Sequence, residues 1–484
     1  MTEWITIVGL EVHAEMLTDS KMFSACPVVD SVEAPPNSAV DPLSLGLPGT
    51  LPVVNQLAME YGMMVGLALH CDIPPFCQFA RKSYFYPDLP KGYQISQYEH
   101  PLAINGYIDI ELPDGESKRI GVTRAHMEED TGKLTHIGGG SSLVDYNRAG
   151  VPLLEIVSEP DIRSSAEAES YARKLRAILR YLGVNHGDMS KGVLRFEANV
   201  SLMHRDDTEF RTRTEIKNLN SIRSMVRAID AEVKRQRKLY ENGETVKQAT
   251  LGWDENAGRI IIQRYKERPD EYRYFPDPDL PVVRYSEAEV EAVRERLPEL
   301  PDAKQARFMQ TLGLSEYDAR QLVSEKAIAD YYEAVLLTGA EPKAAANWIL
   351  GALFSIFNRE SIAREDIDAT RISAAQMGEL IKLVSGDKLN KGSGEKVLAI
   401  MFETGDDPET IIEREGLAQV SDEAAIAAKI DEVLAQHADM AQKFAEGEAK
   451  LFGPLMGKTM GAFGGKANPQ MVQKILKQKL DALK

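Results

Sequence analysis

Apolar and polar positions follow two rhythms along this chain, and the change comes near residue 297. Before it, strand-like runs, turns and helices alternate. Residues 106–112 alternate apolar and polar with period two, which predicts a half-buried strand. Pro113-Asp114-Gly115 supplies a turn and residues 118–123 the return strand, so a hairpin is expected. Asn105-Gly106 predicts a further turn on its N-terminal side. The run His126-Met127-Glu128-Glu129-Asp130 is expected to follow the return strand directly. Ser164-x-x-Glu167 has the spacing of a capping box. Tyr171, Leu175, Ile178 and Leu182 then recur at helical spacing up to Gly183. Residues 195–202 read as a strand, and a helix over about 222–239 is basic on its exposed face. Strict strand–helix alternation is absent, so the expected class is α+β with an antiparallel sheet.

After residue 297 the spacing is helical almost throughout. Loops are expected near Thr311-Leu312-Gly313, Gly339 and Gly386, and no repeat of 20–50 residues is visible. Residues 403–415 are acidic and carry the breakers Gly405 and Pro408, so they read as a linker or hinge. The last ~65 residues predict a small helical unit. It has Gly-rich turns at 457–461 and 464–469 and closes on a Lys-rich helix. The expected domains are 1–297, 298–410 and 411–484.

Several carboxylates sit inside or beside apolar, strand-like runs: Glu11 and His13 after Ile5-Thr6-Ile7-Val8, Glu128 and Glu129 after His126, and Glu155 between Leu154 and Ile156, with Glu159 close by. An unpaired charge is costly there, so a partner or an ion is expected. Glu11 and His13 are two apart and face one way on a strand. Glu128 and Glu129 are adjacent, so a strand would separate them, whereas a turn could aim both at a pair of ions. This much hard oxygen suits Mg²⁺, and paired Mg²⁺ ions go with phosphoryl transfer.

Composition narrows the picture. The chain has 484 residues, 43% hydrophobic, enough for several cores. No apolar run approaches the ~18 residues of a membrane span. The N-terminus lacks a basic leader segment, so no signal peptide is expected. Cys26, Cys71 and Cys77 make an odd, sparse set, which points to a reducing cytoplasm rather than a disulfide framework. The net charge of −17 opposes nucleic acid overall, so any such contact must use local patches. Residues 205–238 carry ten Lys/Arg against six acids, and 441–484 carry eight Lys against three acids. No phosphate-binding loop of the G-x-x-x-x-G-K-[ST] type occurs. Arg81-Lys82-Ser83-Tyr84-Phe85-Tyr86 places two cations beside three aromatics, which suits phosphate contact with base stacking, or an amphipathic edge over an aromatic core. Lys217-Asn218-Leu219-Asn220-Ser221 is either a phosphate- or ammonia-binding polar run or a helix cap.

These stretches together are similar to one family. Residues 9–13, 48–55, 81–97, 126–130, 153–161, 217–221, 272–279 and 465–470 resemble the GatB subunit of the aspartyl/glutamyl-tRNA amidotransferases, with the likeness running from residue 5 to the end. The resemblance implies a cradle catalytic domain, a helical domain and a small helical tail. It implies an ATP- and Mg²⁺-dependent ligase that works in a heterotrimer, with an amidase partner and a small third subunit. Such an enzyme phosphorylates the side-chain carboxylate of Glu on tRNA(Gln) or Asp on tRNA(Asn), then amidates it with ammonia from glutamine. Carried over by motif, His13, Glu129 and Glu155 would hold one Mg²⁺, and Glu11 with Glu128 the second. Lys82 and Lys217 would lie on the ammonia path or near the phosphates. Arg81, Tyr84 and Tyr86 would contact ATP, and Arg223, Arg227, Lys458, Lys466 and Lys474 the tRNA. Two departures stand out. Ser83 follows Lys82 where the family often has Asn. Three scattered cysteines cannot form the four-cysteine zinc site of many members, so no structural zinc is expected. Two rival readings are a stand-alone two-metal phosphohydrolase and a non-catalytic tRNA adaptor.

Overall fold

The computed structural model describes residues 4–112, 115–265, 272–418, 423–464 and 467–483. Residues 113–114 of the expected hairpin turn, and Gly465 and Lys466 of the tail, lie outside the described residues. The chain divides into two units, residues 1–300 and 301–484.

The first unit is built on an eight-stranded sheet. Its strands lie in the order Arg259–Tyr265, Ala249–Asp254, Thr214–Leu219, Leu194–His204, Trp4–Glu15, Pro152–Ser158, Ser117–Glu129 and Ala103–Glu111. Every neighbouring pair is antiparallel except Thr214–Leu219 with Ala249–Asp254, so the fold is α+β as the sequence predicts. Trp4–Glu15 runs through the middle, and its alternation splits the sheet. Leu10, Val12 and Ala14 join a core with Leu154, Ile156, Phe196 and Ala198. Three helices, Gln56–Ala68, Ser165–Tyr181 and Ile222–Glu241, cover that apolar face through residues such as Met59, Leu175 and Met225. Glu11 and His13 point to the other face.

Two irregularities tune which residues reach which face. Val122 pairs with Ser158 but Arg124 with Val157, so Thr123 is an extra residue in its strand. Ile120 and Val122 before this bulge and Ala125 and Met127 after it all enter the same core. The bulge therefore reverses the phase and turns His126 and Glu128 outward. A second shift lies between Phe196 and Ala198, opposite Leu219 and Ile216. Here Asn218 takes φ 60°, a left-handed conformation that asparagine tolerates.

Local signals explain the helix starts. Ser164 accepts a hydrogen bond from the Glu167 amide at 3.1 Å. Glu167 itself is drawn to Lys118 and the Arg163 amide, so the reciprocal half of the expected capping box is replaced by other partners. Ser221 caps Ile222–Glu241 through the Ser224 amide at 3.0 Å.

Four sequence expectations change. Asn105-Gly106 is not a turn: both lie within Ala103–Glu111, with Asn105 at φ 57° and Gly106 passing close to Cys71 and Leu69. The run 126–129 does not follow the strand but forms its end, because pairing with Pro152–Ser158 extends the ladder to Glu129. Residues 403–415 are not a linker. Gly405 ends the helix Lys391–Thr404 at φ 78°, and Pro408 opens the helix Pro408–Glu415, where its missing N–H costs nothing. Ile411 and Ile412 are then buried in the helical core of the second unit. The glycines at 457 and 461 belong to a helix, Phe452–Ala462, not to a turn.

The second unit is helical, with one core drawn from residues 308–412 and another drawn from residues 426–480, the latter including Ile426, Ile430, Leu455, Val472 and Leu476. Among the described residues no helix is long and apolar enough to cross a membrane.

Gly106 is the tightest approach in the first unit. A Cβ there would lie 2.3 Å from Cys71 Sγ and 2.5 Å from the Leu69 carbonyl oxygen. Gly106→Ala should destabilise the protein by about 1–3 kcal/mol, read as a lower urea midpoint at unchanged m-value. An unaltered midpoint would mean the strand has room this packing denies it.

Candidate active site

The polar face of the sheet gathers its ligands through register. His13 stands opposite Glu155, and Glu155 stands opposite His126 on the next strand. His13 Nε2 lies 3.4 Å from Glu155 Oε2 and 3.7 Å from Glu128 Oε1, and His126 Nε2 lies 3.5 Å from Glu155 Oε2. On the other side Glu11 stands opposite Glu197, and Glu215 lies one strand further along. Two groups result, His13–Glu128–Glu155 and Glu11–Glu197–Glu215. In each, the potential ligand atoms lie within 4.8 Å of one another.

These groups interact strongly because they are buried. Burial, and then the charge of Glu155, raises the Glu128 carboxyl. Burial raises Glu11 as well, with Glu155, Glu197 and Glu215 adding to it against a 2.8 Å hydrogen bond from Asn199. For His13, burial opposes the charge, but Glu155, Glu197 and Glu128 outweigh it and push the imidazole up to about 9. His126 goes the other way: burial, with Arg124, Lys82 and His13 nearby, lowers it to about 4. Arg124 Nε donates to His126 Nδ1 at 3.4 Å, which leaves His126 Nε2 as the N–H facing Glu155. On this face the buried atoms Glu128 Oε2 and His13 Nδ1 have no hydrogen-bond partner among the described residues. A face with this surplus of negative charge and unpaired donor atoms is suited to cations.

Two lysines border it. Burial opposes the charge of Lys82, but Glu128 and Glu155 hold its ammonium well above the usual range. Lys82 Nζ sits 5.1 Å from the centre of the Tyr272 ring and 5.9 Å from that of Tyr84. Lys217 Nζ lies 2.6 Å from Glu197 and 3.3 Å from Glu215.

The structure regroups the sequence expectations. Glu129 does not join His13 and Glu155. On a continuous strand it points opposite to Glu128, where it pairs with Lys91 and accepts the Ile95 amide at 3.0 Å. Glu128 takes the place expected of Glu129, and Glu11 is grouped with Glu197 and Glu215 rather than with Glu128. The Arg81 guanidinium is already held by Asp277 and Asp279, both at 2.8 Å, and stacks 4.2 Å from the Tyr93 ring centre. Tyr84 donates to Gln94 at 3.1 Å and Tyr86 is exposed. Arg227 pairs with Glu255 and lies over Trp253, while Arg223, Lys458 and Lys474 are exposed on their helices. Glu197, Glu215, His126 and Lys91 were not among the expected site residues. For Glu197 the signal is in the sequence: Phe196, Ala198 and Val200 alternate with it as core positions.

Two family models match this chain. The GatB/GatE catalytic domain family matches residues 6–291, and the GatB domain family matches residues 330–480. The chain is similar to the B-subunit of the aspartyl/glutamyl-tRNA(Asn/Gln) amidotransferase of Moorella thermoacetica, 46% identical over 481 residues, covering 99% of this chain and 100% of that protein. Proteins of the same name are equally similar: in Herpetosiphon aurantiacus, 46% over 482 residues, 99% of each chain; in Thermodesulfovibrio yellowstonii, 46% over 474 residues, 98% of each.

The Lys91–Glu129 pair is nearly buried on both sides. Lys91→Met alone should cost about 3–5 kcal/mol in urea unfolding by stranding the carboxylate, whereas Lys91→Met with Glu129→Gln, which keeps an acceptor for the Ile95 amide, should recover most of it. A double variant no better than the single one would count against the pair as a buried ion pair.

Proposed function

The chain belongs to the GatB/GatE family, and from that membership and its acidic sheet face we propose that it is the GatB subunit of a glutamine-dependent tRNA amidotransferase. Its substrate is the side-chain carboxylate of Glu-tRNA(Gln) or Asp-tRNA(Asn). A carboxylate is a poor electrophile. In this reading one of its oxygens attacks the γ-phosphorus of ATP and ADP leaves. Ammonia then attacks the acyl phosphate carbon and inorganic phosphate departs.

The observation that carries this is the pair of three-ligand groups side by side on one sheet face. Their carboxylates and unpartnered atoms suit Mg²⁺, and the imidazole makes Mn²⁺ an equally good probe. We assign one ion to His13, Glu128 and Glu155 and the other to Glu11, Glu197 and Glu215. When bound, such ions neutralise charge on a transferring phosphoryl group. The remaining roles fall to the chain. His126 holds Glu155 through its Nε2–H. The Lys82 ammonium, kept charged by its carboxylate neighbours, orients an incoming anion. Lys217 braces Glu197 and Glu215 beside the route we assign to ammonia from the amidase. Tyr84 and Tyr86 are offered to ATP beside Lys82, and Arg223, Lys458 and Lys474 to tRNA. A small third subunit in the heterotrimer and a cytoplasmic setting belong to the same proposal. A stand-alone phosphohydrolase is not favoured, since the family relatives are named as subunits of an amidotransferase. An adaptor would have no use for carboxylates held at the expense of desolvation.

Two outcomes test this. In the assembled complex, Glu128→Gln should weaken Mn²⁺ binding by at least about tenfold, the low end for lost metal-site contacts, and abolish ATP-dependent formation of Gln-tRNA(Gln). Glu129→Gln should leave Mn²⁺ affinity near wild type. Electron paramagnetic resonance titration reads both, and an unchanged affinity in Glu128→Gln would remove it from the site. Ending the chain at Ala418 keeps Ile411 and Ile412 in their core. That truncation should raise KM for charged tRNA several-fold while glutamine hydrolysis by the amidase continues; an unaltered KM would exclude the tail from tRNA contact.

A further inference from the structure

A second concavity lies next to the acidic groups. It has a volume of about 290 Å³ and is lined by Tyr98, Tyr272, Tyr274 and Phe275, with Gln78, Glu99, His100 and Arg273 at its polar positions. That is close to the lower end of the small-molecule range and has room for a heteroaromatic ring system. Tyr98 and Tyr274 stack with ring centres 4.2 Å apart at 8°. Tyr98 is nonetheless 52% exposed and Phe275 45% exposed, so broad aromatic surface faces solvent. The aromatic lining leads back to the active site, since Tyr272 meets both Tyr274 at 6.2 Å and the Lys82 ammonium at 5.1 Å.

Flat aromatic faces beside a few hydrogen-bonding groups recognise unpaired bases by stacking. The polar positions of the lining, Gln78, Glu99, His100 and Arg273, offer hydrogen bonds to a base edge. In the reaction above, the reacting carboxylate is ester-linked to the terminal ribose of the tRNA, so the base of that nucleotide must rest close by.

We propose that this pocket is the stacking subsite for the unpaired 3′-terminal adenine of the tRNA, with Tyr98 as its platform. The inference rests on the amidotransferase reading. The assignment would make Tyr98 a substrate-positioning group: it fixes the terminal nucleotide so that the attached carboxylate reaches the sheet face.

The test uses the assembled complex and uncharged tRNA at one fixed salt concentration. Binding of tRNA with an intact CCA end is compared with that of the same tRNA lacking only its terminal adenosine. Wild type should prefer the intact end by about tenfold, the scale of one stacked base. Tyr98→Phe should keep that preference, and Tyr98→Ala should lose it while KM for ATP stays the same. A preference retained in Tyr98→Ala, or absent in wild type, overturns the proposal. A retained preference with a raised KM for ATP would instead give the pocket to the adenine of ATP. Failure of the reading beneath is separately visible, since wild type would then convert neither Glu-tRNA(Gln) nor Asp-tRNA(Asn).

Discussion

Everything in the first unit depends on the period-two alternation of Trp4–Glu15 between two neighbours in fixed register. A strand buried on one face cannot slip by one residue, because that exchanges every side chain between core and solvent. Here the exchange would drive Glu11 and His13 among Leu154, Phe196 and Leu175 and expel Leu10 and Val12. Packing of the helices on the apolar face therefore fixes the geometry of the polar one. The residues that stabilise the fold and those that form the site differ, but a single register sets both.

That register concentrates like charge, which the fold alone does not favour. Glu11, Glu128, Glu155, Glu197 and Glu215 share one face, with Lys82, Lys217, Arg195, Arg124 and His13 among the positive groups nearby. Against its burial, Glu155, Glu197 and Glu128 push the His13 imidazole up to about 9, while burial first and the neighbouring carboxylates second raise Glu11 and Glu128. In the proposed ion site His13 would have to be deprotonated to act as a ligand, so cation binding there would be coupled to proton release. Departures from local consistency of this kind collect at functional sites.

Features set by neighbours in sequence were legible. The Ser164 cap, the hairpin strands and the helical character after residue 297 rest on spacings of two to four residues, and the structure bears them out. Breakers misled where their position within an element decides their meaning. Pro408 reads as an interruption but begins a helix, and Gly457 and Gly461 sit inside one. The acidic character of the site was visible in Glu11, Glu128 and Glu155, but its partition was not. Which carboxylates come together depends on pairing between strands almost two hundred residues apart, as for Glu11 and Glu197.

The Glu128–Glu129 assignment turned on a single extra residue. The sequence shows apolar positions at 120, 122, 125 and 127, and the step of three between 122 and 125 is the trace of the Thr123 bulge. With strict alternation from Ile120, residues 126 and 128 would face the core and 129 the site. With the bulge, His126 and Glu128 face the site and Glu129 turns to Lys91. Asn218 acts in the same way one sheet position beyond Leu194–His204: Ile216 and Leu219 both enter the core, three apart, and Glu215 and Lys217 are left together on the polar face. In both strands the interruption lies next to the functional side chains, because an uninterrupted strand could not present those residues on the ionic face and still bury their apolar neighbours on both sides of the break.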